Sequence, residues 1–477
     1  MFWTLSSPPT CSASFGKSWP RYNVFSRREI RPAGCFQFER RLERLLRELG
    51  RLIFERTLRR LESQRREQTA ASFTWNGETY RRNRQTVSSI DTRFGRVNYE
   101  RWFFQNGQPG SPGVAPLDVR LGIVAGRMTP ALAEATGRLA ADMPQQAALQ
   151  MLRERFAVKM SVDSYRRVVA ELATEVRGVH DEEAIEQLLD WLRQARQSAG
   201  KHSVLLQVGR DGVYVQTCPC WEEAACATLA VYDRNRKRLG TIYLGQMPES
   251  EQPTMTRRLT NVIEGVLRGL GDDLPALRYV TDAGCHPQAY YHDLLAKMKH
   301  PLTQQPLSWS WGVDFFHACE YVAKLAAAIY GTGKESANHW AEQQRKTLRD
   351  DPNGVSKVIA RAAQQKRRHG LRGTKKDYAL ALNYFKRYRD YMDYAARRER
   401  GEPIGSGITE AGCKVIFNQR LKQSGMRWRR ATGQYIVDLR TANRSRLWPR
   451  IWNRLITAAR PLPPITQANT NRDPEIN

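Results

Sequence analysis

Between His202 and Phe316 the chain changes its period. HSVLLQVGRDG, ATLAVYDRNRKRLGTIYLGQM, LRYVTDAG and WSWGVDFF are short apolar runs bounded by Gly, Asp and Asn, which read as strands, with DRNRKR as a polar turn inside the second run. Helical patterns over Thr254 to Leu270 and Pro287 to Lys297 separate the later runs. Three strands in succession, then helix, strand, helix and strand, predict an α/β fold built on a mixed five-stranded sheet with helices packed on it.

Two carboxylates stand where those strands should end, Asp211 in LLQVGRDG and Asp282 in LRYVTDAG. Ligands of open α/β sheets gather at the carboxyl ends of strands, so both are placed for a site, although aspartates beside glycine also serve as plain turn residues. A third acid, Glu410, lies alone among basic residues in GSGITEAGCKVIFNQRLKQSGMRW, Gly405 to Trp428. With ~3.6 residues per turn from Ser406 to Lys422, it shares a stripe with Cys413, Lys414, Phe417 and Leu421. It is then either a surface partner of Lys414, contributing ~0.2 to 0.5 kcal/mol, or an inward carboxylate that costs several kcal/mol unless a cation meets it. Three such acids suit Mg²⁺, and two ions about 4 Å apart would serve phosphodiester chemistry. Asp314 in WGVDFFHACEY competes for a place, with His317 and Glu320 behind it. An HxxE pair lacking a third ligand favours a structural or DNA-contacting His317.

The charge balance narrows the partner. Lys and Arg number 76 against 48 Asp and Glu, a formal +28, and the excess runs through the whole chain. That distribution points to nucleic acid more than to an acidic membrane surface. Lys414, Arg420, Lys422, Arg427, Arg429 and Arg430 adjoin the third acid, with Trp428 as a stacking surface, and are candidate phosphate contacts. KRRHGLRGTKK, Lys366 to Lys376, is either a DNA-contacting loop or a solvated one. No apolar run approaches the ~20 residues that span a bilayer, and the N-terminus lacks the pattern of a secretory signal. The eight cysteines are scattered, which fits a reducing cytoplasm and, with a DNA partner, association with the nucleoid. The cluster of Cys218, Cys220 and Cys226 lacks the spacing and fourth ligand of a zinc site.

Residues 1–36 and 461–477 read as tails rich in Ser, Pro, Arg or Asn. Residues 37–115 hold an amphipathic helix, about Phe38 to Arg65 with Leu42, Leu45, Leu46, Leu49, Ile53 and Leu58 at helical spacing, then two hairpins at Asn76-Gly77 and Gly95. Residues 116–200 carry three helical segments, Thr129 to Ala141, Pro144 to Arg155 and Ser161 to Ala173, in the pattern of a helix-turn-helix or of a plain bundle, then a linker helix, Asp181 to Arg196. Ser161 is the expected N-cap of the third. Residues 201–330 and 401–460 form the two parts of the sheet domain, interrupted by a helical insertion over 331–400.

This order of elements resembles the RNase H-like fold of DDE transposases and integrases. There the first Asp lies on the first strand, the second follows the fourth strand, and the Glu sits on a late helix, often after an inserted domain. GRDG, TDAG, DFFHACEY and GEPIGSGITEAGCKVIFNQRLKQSGMRW resemble more specifically the Kra-type family of bacterial insertion-sequence transposases, over roughly Pro116 to Trp428. The resemblance implies that Asp211, Asp282 and Glu410 are catalytic and metal-binding, that the cofactor is Mg²⁺ with Mn²⁺ substituting, and that the reaction is cleavage and strand transfer of double-stranded DNA at element ends and target. Bringing two ends together implies a homo-oligomer. The Cys-rich zinc module of some members is absent from RFGRVNYERWFFQN. A catalytically inactive DNA-binding relative and another RNase H-like nuclease are the alternatives.

Overall fold

The computed structural model describes residues 32–62, 69–75, 77–108, 113–369 and 376–458. The two tails and most of residues 366–376 lie largely outside that set.

The first helix, α1 (Pro32–Leu61), precedes strands β1 (Ser72–Trp75), β2 (Glu78–Thr92) and β3 (Gly95–Gln105). The strands form an antiparallel sheet in the order β1-β2-β3, so both expected hairpins exist. Gly95, at φ +106°, takes the left-handed turn between β2 and β3 that a side chain would resist. Alternation along β3 puts Val97 and Tyr99 against Ile90 and Leu58, while Trp102 and Phe104 pack with Phe73 and Tyr80. Leu58 is buried there, but Leu42, Leu45, Leu46, Leu49 and Ile53 of α1 are exposed.

Helices α2 (Pro116–Arg120), α3 (Pro130–Asp142), α4 (Gln145–Phe156) and α5 (Val162–Gln197) follow. Ser161 caps α5 as expected, its hydroxyl accepting from the Ser164 amide at 3.2 Å. The expected third helix and linker helix are, however, one continuous helix of 36 residues. Its buried stripe runs on through Val168, Leu172, Val176, His180, Ala184, Leu188 and Leu192. One face of α5 packs against other helices, while Asp163, Arg166 and Arg167 near its N-terminus lie in solvent. The expected break between a third helix and a linker helix is corrected accordingly: α5 is one continuous element, buried along one face.

The central sheet contains β4 (Leu205–Gln216), β5 (Trp221–Tyr232), β6 (Arg238–Gln246), β7 (Ala276–Thr281) and β8 (Trp309–Val313), in the order β6-β5-β4-β7-β8. The β4-β5-β6 pairs are antiparallel, and the β4-β7 and β7-β8 pairs parallel, as a mixed sheet requires. Helices α6 (Pro253–Leu270) and α7 (Cys285–Asp293) form the crossovers. Arg258 of α6 is buried and reaches Asp181 of α5 at 2.7 and 3.0 Å.

Between the sheet and its last elements the chain is helical, as expected of an insertion: α8 (Phe315–Tyr330), α9 (Glu335–Asp350), α10 (Gly354–Arg368), α11 (Lys376–Tyr388) and α12 (Tyr394–Glu399). The insertion does not stand apart. Tyr388 donates to the Ala283 carbonyl at 3.3 Å, and Arg397 to the Trp311 carbonyl at 2.7 Å. The chain returns through α13 (Gly407–Cys413), a π-helical turn over Lys414–Asn418, α14 (Gln419–Leu421), α15 (Arg430–Arg444) and α16 (Trp448–Thr457). One continuous core runs from Val124 to Ile451, so the sequence boundaries near 200, 330 and 400 separate no independent cores. Among the described residues no helix is long and apolar enough to cross a membrane.

Candidate active site

β4 does not end at Asp211, as the sequence suggested; pairing with β5 keeps it extended to Gln216, with Asp211 opposite Cys226. What ends near Asp211 is the other neighbour. The parallel register from Leu205↔Ala276 to Val208↔Tyr279, continued three residues, sets Asp211 opposite Asp282, immediately beyond β7. Asp282 accepts from the Gly284 amide at 3.0 Å across a turn in which Ala283 sits at φ +66°. Asp211 Oδ1 accepts from the Gly212 amide at 2.7 Å. Its Oδ2 accepts from the Cys413 thiol of α13 at 3.5 Å, a weak contact.

Burial, and then the negative charge of Asp282, push the Asp211 carboxyl up to about 6. The Cys226 thiol, then burial, then the Asp211 carboxylate push the Cys413 thiol up, so it remains a thiol and a donor. Two oxygen acids that repel each other just past the end of the parallel β4–β7 pairing form a donor set suited to a hard cation such as Mg²⁺. Among the described residues no three His, Cys, Asp or Glu side chains converge as a preformed metal cage.

Small residues let α13 lie close on this end of the sheet. Thr409 and Thr228 share a hydrogen bond of 2.8 Å, and a Cβ on Gly209 would sit 2.0 Å from the Thr409 hydroxyl. A Cβ on Gly412 would meet Thr228, Cys226 and Tyr243 at 3.1 to 3.3 Å. The approach to α13 is fastened by Asp314, which is buried. One of its oxygens caps α8 through the His317 amide at 2.6 Å, and the other takes the Ser406 hydroxyl at 2.7 Å and the Ser406 amide. With both oxygens engaged, Asp314 is a clamp rather than a spare acid. His317 lies 3.5 Å from Glu320 and against the rings of Tyr321 and Tyr384.

Glu410 is exposed, which corrects the inward stripe. Thr409, Gly412, Cys413, Ile416, Phe417, Arg420 and Leu421 form the buried line instead. The wider π turn breaks the assumed period, and the small side chains of Thr409 and Gly412 occupy the closest approach to the sheet. Glu410 is therefore one turn from Cys413, the residue in contact with Asp211, with its carboxylate in solvent.

The basic residues divide. Lys414, Lys422 and Arg427 are exposed, with the Lys422 ammonium 5.6 Å from the Trp221 ring. Arg420 is 2 % exposed and donates to the Ala140 carbonyl at 3.1 and 3.2 Å, closing the end of α3 while lying over the Trp428 ring. It is not available to a phosphate. Trp428 is half-buried and latched: its indole donates to the Leu421 carbonyl at 2.9 Å, and its backbone bridges Gln216 and Cys218 at 3.1 and 3.0 Å. Sequence reasoning missed the Cys413 contact, the Gly209–Thr228–Thr409 seat and the Asp314 clamp. The one signal available was the density of small residues in GSGITEAG, which marks close helix–sheet packing.

Comparison with protein-family models and with curated proteins finds no match for this chain.

Proposed function

We propose that the chain is a metal-dependent DNA strand-transferase with an RNase H-like sheet, acting on the ends of an insertion sequence in the manner of a Kra-type DDE transposase. The observation that carries this reading is the pairing of Asp211 on the first strand of the central sheet with Asp282 beyond its fourth, under a late helix that bears Glu410 after an inserted helical region. The formal +28 of the chain supplies the affinity for a polyanion.

In this reading Asp211, Asp282 and Glu410 hold Mg²⁺ or Mn²⁺, which when bound supplies the positive charge that a phosphodiester displacement needs. Asp211 and Asp282 carry the negative charge that recruits it, and their fixed hydrogen bonds to Gly212 and Gly284 hold each carboxylate in place. Glu410 would complete that donor set from the solvent side of α13. Lys414, Lys422 and Arg427 steer the DNA backbone toward the carboxylates.

The test is Asp282→Asn on double-stranded DNA carrying candidate element ends. Cleavage and strand transfer should vanish while duplex affinity stays level or rises, because a repelling charge is removed. Unchanged cleavage would sink the assignment. Wild-type hydrolysis of RNA strands alone would favour another RNase H-like nuclease, and binding without any cleavage an inactive relative.

A further inference from the structure

The outer edge of the central sheet holds a second charged site, away from the carboxylates. A cavity of about 420 Å³ opens beside β6, between α5 and the turn that follows α15. Three guanidinium-bearing residues line it: Arg238 of β6, and Arg444 and Arg446 at the end of α15. Among the described residues, none of those lining it carries a carboxylate. Arg444 is held from outside by Asp142 at 2.7 Å, whereas Arg238 and Arg446 are exposed. Arg446 sits at φ +60°, a left-handed backbone that an arginine adopts only where its surroundings impose it.

The neutral groups in the cavity suit an oxyanion. Gln187 and Thr241 contribute an amide and a hydroxyl. The Tyr243 amide donates outward from the sheet edge to Ser445 at 2.9 Å, so by the period of a strand the Thr241 amide points the same way. Guanidinium forks, a hydroxyl and an edge amide around one cavity are the donor set of a phosphate receptor.

Its position relates it to the candidate active site. Thr241 is level with Gln207 of β4 through Ala230, which puts it four residues down the strand from Asp211 and two strands across, about 17 Å at ordinary sheet spacings. Tyr243, which lines the cavity, also abuts Gly412 of α13.

We propose that this cavity is a second phosphate-binding site, taking a backbone phosphodiester of a nucleic-acid strand. The proposal rests on the function proposed above only in taking nucleic acid as the polyanion; the geometry asks for a phosphate whatever the carboxylates do.

The experiment is duplex binding by fluorescence anisotropy, with full-length protein, a short labelled DNA duplex and EDTA, across a salt series. Arg238→Ala with Arg446→Ala should weaken binding about tenfold near physiological salt and lower the slope of log K against log salt by about 1. A control pair on α4, Arg153→Ala with Arg155→Ala, removes the same charge from exposed positions and should cost no more than about twofold. Gln187→Glu, which puts a carboxylate into the cavity without removing an arginine, should weaken binding in the same direction and covers the case in which the double variant fails to fold. Equal losses for the two arginine pairs, or no loss for the cavity pair, would overturn the proposal, as would inorganic phosphate binding that the cavity variants abolish while duplex binding is untouched. Because nothing is cut in EDTA, this result is read independently of the Asp282→Asn test.

Discussion

Replacing Asp211 by Asn should make the protein more stable at neutral pH in the absence of divalent cations. Its carboxyl sits near 6 in the folded chain, against an ordinary value of 3.8. A group whose folded pKa is raised costs nothing below its unfolded value, where both states are protonated, and costs progressively more as pH rises through the folded value. Between 3.8 and about 6 the cost grows to about 3 kcal/mol, at about 1.4 kcal/mol per pH unit. The amide retains an acceptor for the Gly212 amide but loses the one for the Cys413 thiol, worth about 1 kcal/mol, leaving a net gain of about 2 kcal/mol above pH 7. With an unfolding entropy of about 2.1 cal/mol/K per residue, that is a rise of about 2 °C in Tm. At pH 4 the ionic cost falls to about 0.5 kcal/mol and the variant should melt level with wild type or slightly below it. The assay is differential scanning fluorimetry of both proteins in EDTA from pH 4 to 7.5, repeated with Mg²⁺, which should raise the wild-type midpoint more than that of the variant. A variant less stable than wild type at pH 7.5, or a difference that does not change with pH, would refute the argument.

Two further tests address the scaffold. Gly209→Ala places a Cβ against the Thr409 hydroxyl and the Val280 carbonyl, so α13 must lift; we expect a loss of about 1 to 3 kcal/mol by chemical denaturation, with DNA cleavage falling more than DNA binding. Asp181→Asn leaves Arg258 buried without its anion and should cost about 3 kcal/mol. Burial opposes ionisation of Asp181, but hydrogen bonds from His180 and Arg258 outweigh it and hold the carboxyl below its ordinary range. That contribution is present above the unfolded carboxylate value and lost as pH falls through the lower folded one, so wild type and Asp181→Asn should converge in acid and separate above about pH 4. A constant gap across that range would count against the pair.

How much of the site was legible can be judged residue by residue. Asp282 was found because the end of β7 shows locally, in the switch from apolar alternation to Asp and Gly, whereas the same signal at Asp211 marked a strand end that β5 pairing carries on to Gln216. Glu410 was found as the odd charge in a basic segment, but its direction was misjudged, since a single π turn shifts a helical stripe and leaves no mark in the spacing. Arg420 read as a phosphate contact because it is an arginine among arginines. Its burial against the Ala140 carbonyl depends on a residue 280 positions away.

By itself the sequence determined the elements: five strands in their order, the hairpins before them, the Ser161 cap and the helical run between β8 and α13. Those follow from period, turn chemistry and capping, which act within a few residues. The tertiary structure alone decided that α5 is one continuous helix, that Asp314 is spent as a clamp, and that Asp211 and Asp282 face each other. It also decided which arginines remain exposed, with Arg238 and Arg446 beside a cavity that no local pattern announces. Such outcomes turn on burial and on partners far apart in the chain, because the cost of a charge is set by what surrounds it and not by its neighbours in sequence.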